Sequence, residues 1–351
     1  MSLRDLRRHV GQLAIIGFPG YTVPADVKKL IAAFDLGGVI YFARNVAEPA
    51  QVRDLSREVA ALSREWPLWI SVDQEGGRVA RLKPPHWRER PPAARFGTLY
   101  AENPEAAREA AYLNARLIAH DLASLGINVD CLPVLDVPVP GAHDIIGDRA
   151  FATDPATIIA LGRAQIEGLM DGGVLPVMKH IPGHGRAESD SHLALPRVSA
   201  GAEALSASDF VTFRSLDQCP IAMTAHVIYE SIDPQRPCTT SPKVIRDVIR
   251  GEIGFDGLLM SDDLSMKALD GPLSVRARQA QFAGCDLVLH CNGDMEEMRD
   301  VAAEVKILEG LALKRSQQAL AHLSAPGLFD PQAAEARLAA LLEPSSGETS
   351  A

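Results

Sequence analysis

The chain has 351 residues, 47% of them hydrophobic and 23% charged, a composition that excludes intrinsic disorder and supports a large buried core. At roughly 150 residues per domain, that length fits either two domains or a single α/β barrel. Lys and Arg number 35 against 45 Asp and Glu, for a net charge of −10, which argues against nucleic acid or a membrane surface as partner because both need a clustered basic excess.

The chain opens with a basic start and a short apolar run over 13–18. That run is shorter than a signal-peptide core of about 7–15 residues and no small-residue cleavage site follows it, so it reads as a first buried strand. Short apolar runs rich in β-branched residues and closed by Gly, Pro, Asp or Asn then recur, predicting strands at 12–17, 37–42, 67–72, 128–135, 175–180, 220–225, 257–261 and 286–290. Between them, 25–34, 50–65, 104–125, 155–172, 207–216, 242–252 and 274–283 carry helical periodicity, several starting at Pro or an acceptor side chain. Beyond the eighth strand, 295–311, 313–323 and 331–342 read as terminal helices and 344–351 as a polar tail.

Eight alternating β/α units without a linker predict one domain over 1–343, a TIM-type (β/α)8 barrel with extra C-terminal helices. The rival, a doubly wound sheet, lacks a G-x-G-x-x-G turn after its first strand, and no G-x-x-x-x-G-K-[ST] loop is present for a nucleotide phosphate. No run approaches the roughly 18 apolar residues of a membrane span. The five cysteines (Cys131, Cys219, Cys238, Cys285 and Cys291) have no C-x-x-C spacing and mostly sit in apolar runs. They read as small buried hydrophobes in a reducing, cytoplasmic setting rather than as a disulfide framework.

In such a barrel the C-terminal ends of the strands converge on one mouth. The third expected strand is followed by Asp73, Glu75, Arg78 and Arg81, and the fourth, after a longer loop, by Asp148 and Arg149. The fifth is followed by Lys179, His180, His184, Asp190 and His192, and the seventh by Asp262 and Asp263. A single Asp there is explained as a helix cap and a single Arg as a surface ion pair; four clusters at the same strand ends point to an active site. The H-x-x-x-H spacing of His180 and His184 would suit a metal on a helix, but Pro182, Gly183 and Gly185 break one, so no metal and no cofactor are expected. Asp190 and His192 share one face of an extended triplet, where a carboxylate fixes the imidazole tautomer and frees the other nitrogen to move protons. A histidine merely satisfied in a loop is the alternative. Asp262 and Asp263 would diverge, one entering the pocket as a nucleophile and the other bracing the chain; no G-x-S-x-G elbow competes.

Residues 248–265, V-I-R-G-E-I-G-F-D-G-L-L-M-S-D-D-L-S, resemble the signature of glycoside hydrolase family 3, and the resemblance implies Asp262 as nucleophile. The segment K-H-I-P-G-H-G-R-A-E-S-D-S-H is similar to the family's single-domain β-N-acetylhexosaminidases of peptidoglycan recycling, which implies His192 as acid/base and Asp190 as its partner. The same likeness assigns sugar binding to Asp73, Arg81, Arg149, Lys179 and His180. It implies a retaining exo-β-N-acetylglucosaminidase acting on a carbohydrate or muropeptide such as GlcNAc-1,6-anhydro-MurNAc peptides. A phosphorylase using the same dyad, another family β-glycosidase and a substrate-assisted enzyme stay open. Two departures, Ile181 where Phe is common and R-A-E-S where small residues are usual, bear on the mobility of the histidine loop.

Overall fold

The computed structural model describes residues 14–62, 67–306 and 308–343. Its strands are β1 (Ala14–Gly17), β2 (Gly38–Tyr41), β3 (Trp69–Val72), β4 (Val129–Asp130), β5 (Leu175–Ile181), β6 (Arg197–Val198), β7 (Ile221–Thr224), β8 (Ile228–Tyr229), β9 (Leu258–Asp263) and β10 (Leu287–His290). Eight of them close into a barrel in the order β1-β10-β9-β7-β5-β4-β3-β2, while β6 and β8 pair apart from it. Every barrel pairing is parallel. The eight barrel strands are the eight expected ones, and among the described residues three helices follow the last of them. The fold is a TIM-type (β/α)8 barrel. The first two residues of the 12–17 run and the 344–351 tail lie outside the described residues.

Every residue of β1, β2, β3, β7 and β10 is buried, because a parallel strand is covered on one face by the barrel interior and on the other by helices. A buried aliphatic side chain contributes about 1.5–3 kcal/mol. Exposed pairs such as Arg57–Asp54, both more than 70% solvent-accessible, contribute about 1 kcal/mol at most. The core, with Val39, Ile40, Val72, Val177, Leu259 and Val288 fully or almost fully buried, therefore carries the stability. Helix starts follow local chemistry: Asn103, Asp154 and Asp330 each precede a Pro and accept backbone N–H groups of the first turn.

Four expectations change. The fourth strand ends at Asp130 instead of running to Leu135, since Pro133 has no N–H to give the ladder; the chain stays against β5 through Val177 N–H to Leu132 and Lys179 N–H to Pro133. The helix expected over 207–216 divides at Ser208 into Ala202–Ala207 and Asp209–Arg214. The helix expected over 295–311 stops at Glu304, where Val305 turns extended and Lys306 N–H bonds Gln281, and a new helix runs Gly310–Ala321. A helix at Ala93–Glu102 was not anticipated; it leads directly into Pro104–Ser124.

Candidate active site

At the C-terminal mouth of the barrel a cavity of about 410 Å³ is lined by Asp73, Arg81, Arg149, Lys179, His180, His192 and Asp262. Seven of the eight residues to which the family resemblance gives a role thus share one wall system. The eighth, Asp190, stands behind His192, its Oδ1 2.8 Å from the imidazole Nδ1 and accepting the His192 main-chain N–H as well.

The polar floor comes from Asp73, Glu75 and Arg81 after β3, Lys179 of β5 and Arg149 from the loop beyond β4. Lys179 Nζ lies 3.1 Å from Asp73 and 2.6 Å from Glu75. Arg149 donates through Nε and Nη2 to the two Glu75 oxygens, both at 2.8 Å, and Arg81 pairs with Asp73 at 3.0 Å. Burial would raise both carboxyls, but Lys179 and the neighbouring arginines outweigh it and hold Asp73 and Glu75 below the usual range. Burial would likewise strip Lys179 of its proton, yet Glu75 and Asp73 keep it charged. Such a network, three cations against two ionised carboxylates, presents fixed donors and acceptors to a ligand. Glu75, noted in the sequence without a role, is its hub: Lys179 and Arg149 both meet there. Glu75→Gln is expected to destabilise the fold by about 3 kcal/mol or more, because removing one member leaves buried cations uncompensated. Thermal melts check this, and an unchanged Tm contradicts it.

Beneath the floor, Asp130 on β4 is fully buried, with Oδ1 accepting the Gln74 N–H and Oδ2 unpartnered. Burial pushes its carboxyl up to about 7. From an unfolded value near 3.9 up to about 7, only the unfolded chain ionises, so this group removes native stability as pH rises through that window. Asp130→Asn escapes the loss, and its stability relative to the parent should grow by a few kcal/mol between pH 4 and pH 7. Paired Tm–pH curves that stay parallel would contradict the assignment.

His180 and His184 flank Asp136, which follows β4. Asp136 takes His180 Nδ1 at 2.7 Å and the main-chain N–H groups of His180 (3.2 Å) and His184 (2.7 Å). Burial works to raise Asp136, but the imidazoles outweigh it and keep it an ionised acceptor, so His180 carries its proton on Nδ1. Lys179 and His180 both reach the cavity although they are sequence neighbours, and the ladder to β7 shifts register between Lys179 and Ile181. Gly185 is required by close approach: a Cβ there would sit 2.1 Å from the Val137 carbonyl oxygen.

On β9 the two aspartates part company. Asp263 braces the chain: Oδ1 accepts the N–H groups of Cys291 and Ser265, and Oδ2 the Ser265 hydroxyl at 2.5 Å. Asp262 faces the cavity, its Oδ1 accepting the Asp263 N–H at 2.8 Å. Burial would raise its carboxyl, but His226 and His180 bring it below the usual range. His226, fully buried after β7, has Nε2 3.0 Å from the Asp263 carbonyl and Nδ1 2.7 Å from the Thr239 hydroxyl. A carbonyl only accepts, so Nε2 holds the proton. Arg44, on the turn after β2, lines the rim with its guanidinium 4.6 Å from the Phe42 ring centre. Asp136, His226 and Arg44 carried the same signal as the anticipated residues, a polar side chain just past a strand, and were passed over.

A parallel barrel whose mouth gathers a His–Asp pair, an ionised carboxylate and an ion-paired polar floor is an α/β-barrel enzyme with a site suited to a polyhydroxylated ligand. Residues 5–325 match the family model described as the Glycosyl hydrolase family 3 N terminal domain. Beta-hexosaminidases of Alkalilimnicola ehrlichii and Methylobacillus flagellatus are 43% and 41% identical over 282 and 261 residues, covering 79% and 73% of this chain and 80% and 74% of theirs. NagZ from Neisseria gonorrhoeae, solved with N-trifluoroacetyl-D-glucosamine, superposes with a TM-score of 0.86 at 31% identity, covering 95% of this chain and 99% of that one. A family 3 β-N-acetylglucosaminidase from Paenibacillus sp. str. FPU-7 gives 0.81 at 33% identity, covering 100% of this chain and 66% of that one. The chain belongs to glycosyl hydrolase family 3 and is a glycosidase, grouping with that family's beta-hexosaminidases.

Proposed function

We propose that the protein is a retaining exo-β-N-acetylglucosaminidase that removes the terminal non-reducing N-acetylglucosamine from GlcNAc-1,6-anhydro-MurNAc peptides. In this reading the machinery is one barrel unit over 1–343. The observation that carries it is that Asp262 and His192, the latter held by Asp190, line one cavity with the Asp73–Lys179–Glu75–Arg149–Arg81 floor.

An Asp262 oxygen forms a bond to the anomeric carbon as the glycosidic C–O bond breaks. The departing oxygen takes the bonding pair and the proton on His192 Nε2. Asp190, bonded to Nδ1, orients the ring and balances its charged form. Burial would raise the Asp190 carboxyl, but the two N–H groups of His192 outweigh it and keep it ionised. Water then attacks the glycosyl ester, giving a proton to His192, and the ester C–O pair returns to Asp262. Asp73, Arg81, Arg149, Lys179 and His180 fix the sugar so that the reacting atoms meet in line. Relatives named beta-hexosaminidase, and a neighbour solved with a glucosamine derivative, support an N-acetylhexosamine at this position.

A cytoplasmic setting is supported by five cysteines that are all buried and free; among the described residues no helix is long and apolar enough to cross a membrane. The test is product analysis on a defined GlcNAc-1,6-anhydro-MurNAc peptide with and without phosphate. Free N-acetylglucosamine, released first as the β-anomer at a phosphate-independent rate, is expected. N-acetylglucosamine 1-phosphate would make the enzyme a phosphorylase, and cleavage of chitobiose alone would redirect the substrate.

A further inference from the structure

We propose that Ser191 is a positioning residue for the acid/base step, a latch that fixes the height of His192 above Asp262; the inference rests on the acid/base role given to His192. In the D-S-H triplet the outer side chains pair with each other, His192 standing 62% exposed, and the middle one turns inward, Ser191 being 3% exposed. The Ser191 hydroxyl lies 3.0 Å from His184 Nε2, and its carbonyl accepts the Ala268 N–H at 3.2 Å. Among the described residues, these two are the hydrogen bonds that tie 188–195 to the rest of the chain. The bonds of Leu193 and Ala194 to Asp190 stay inside the loop, and the first half is held earlier, by Arg186 on Asp209 at 2.6 Å and by Ala187 on His143.

The two attachments lead to the two halves of the site. Through His184 the latch reaches Asp136 and hence His180 on β5; through Ala268 it reaches the loop that leaves β9 just past Asp262 and Asp263. His184 is suited to the task because burial pushes its imidazole down to about 4, so the ring stays neutral at working pH. Among the described residues its Nδ1 has no partner, which favours the tautomer with the proton on Nε2, donated to Ser191, since an unpaired acceptor is tolerated better than an unpaired donor. Cutting one attachment leaves residues 188–195, which carry the dyad, with one of their two hydrogen bonds to the rest of the described chain, and a displacement near 1 Å is enough to cost about 100-fold in rate.

The experiment compares Ser191→Ala, Ser191→Thr and His192→Ala on a dinitrophenyl and an alkyl N-acetylglucosaminide, with thermal melts as a folding control. Ser191→Ala is expected to lose about 10- to 100-fold in kcat/KM on the alkyl glycoside and less than about threefold on the dinitrophenyl one. Ser191→Thr, which keeps the hydroxyl, should recover most of the loss, and His184→Gln should add little to Ser191→Ala. A Ser191→Ala enzyme that loses equally on both substrates, or on neither, while His192→Ala discriminates between them overturns the latch alone. If His192→Ala does not discriminate, the acid/base reading fails and the latch with it.

Discussion

Asp262→Asn is expected to lower kcat/KM on an aryl N-acetyl-β-glucosaminide by about 10⁴-fold or more, the scale on which loss of a nucleophile acts, while the melting temperature stays within a few degrees of the parent's. The asymmetry comes from the neighbouring aspartates. Asp262 accepts one backbone N–H, which an amide oxygen can still accept, and is otherwise turned to the cavity. Asp263 satisfies three donors that join β9 to β10 and to its own exit loop, so Asp263→Asn should cost stability first, each charged hydrogen bond being worth about 1.5–3 kcal/mol. Activity assays paired with melts separate the two. An Asp262→Asn enzyme that keeps a tenth of parental activity would remove Asp262 from the mechanism.

The second large effect falls on His192. Its replacement by Ala should cost about 10²–10⁴-fold on substrates whose leaving group needs a proton and far less on the first step with activated aryl glycosides. On the latter the glycosyl ester should build up, because in the proposed mechanism the same residue activates the water, and azide should restore turnover by attacking without a base. Asp190→Asn should reproduce much of this defect with His192 still present, since the amide no longer enforces the tautomer that leaves Nε2 free. Equal losses across leaving groups, and no response to azide, would count against the role.

The barrel was legible because its strands are buried on both faces and so read as continuous apolar runs; β2, G-V-I-Y, and β10, L-V-L-H, admit few other readings. Helix interruptions were not. Ser208 and Val305 break their helices through local backbone turns and a long-range bond to Gln281 that no periodicity encodes. At the site, residues within a few positions of a strand end were found wherever they came in clusters. Isolated ones such as Asp136, His226 and Arg44 were passed over, although all three meet the same positional rule. Arg149 lies well beyond β4 and reaches the floor because Arg78 pins its loop, bonding Asp148 and the carbonyls of Asp144, Ile145 and Ile146. The unusual R-A-E-S stretch gains a physical meaning only in three dimensions, where Arg186 seats the near half of the histidine loop on Asp209.

In the proposed mechanism Asp262 forms a covalent bond to the sugar. Incubation with an activated, ring-fluorinated N-acetylglucosaminyl donor, followed by proteolysis and mass spectrometry, should find the sugar esterified to the Asp262 side chain, with activity returning as the ester hydrolyses. An adduct on any other residue, or steady turnover of the donor with no adduct at all, would contradict it.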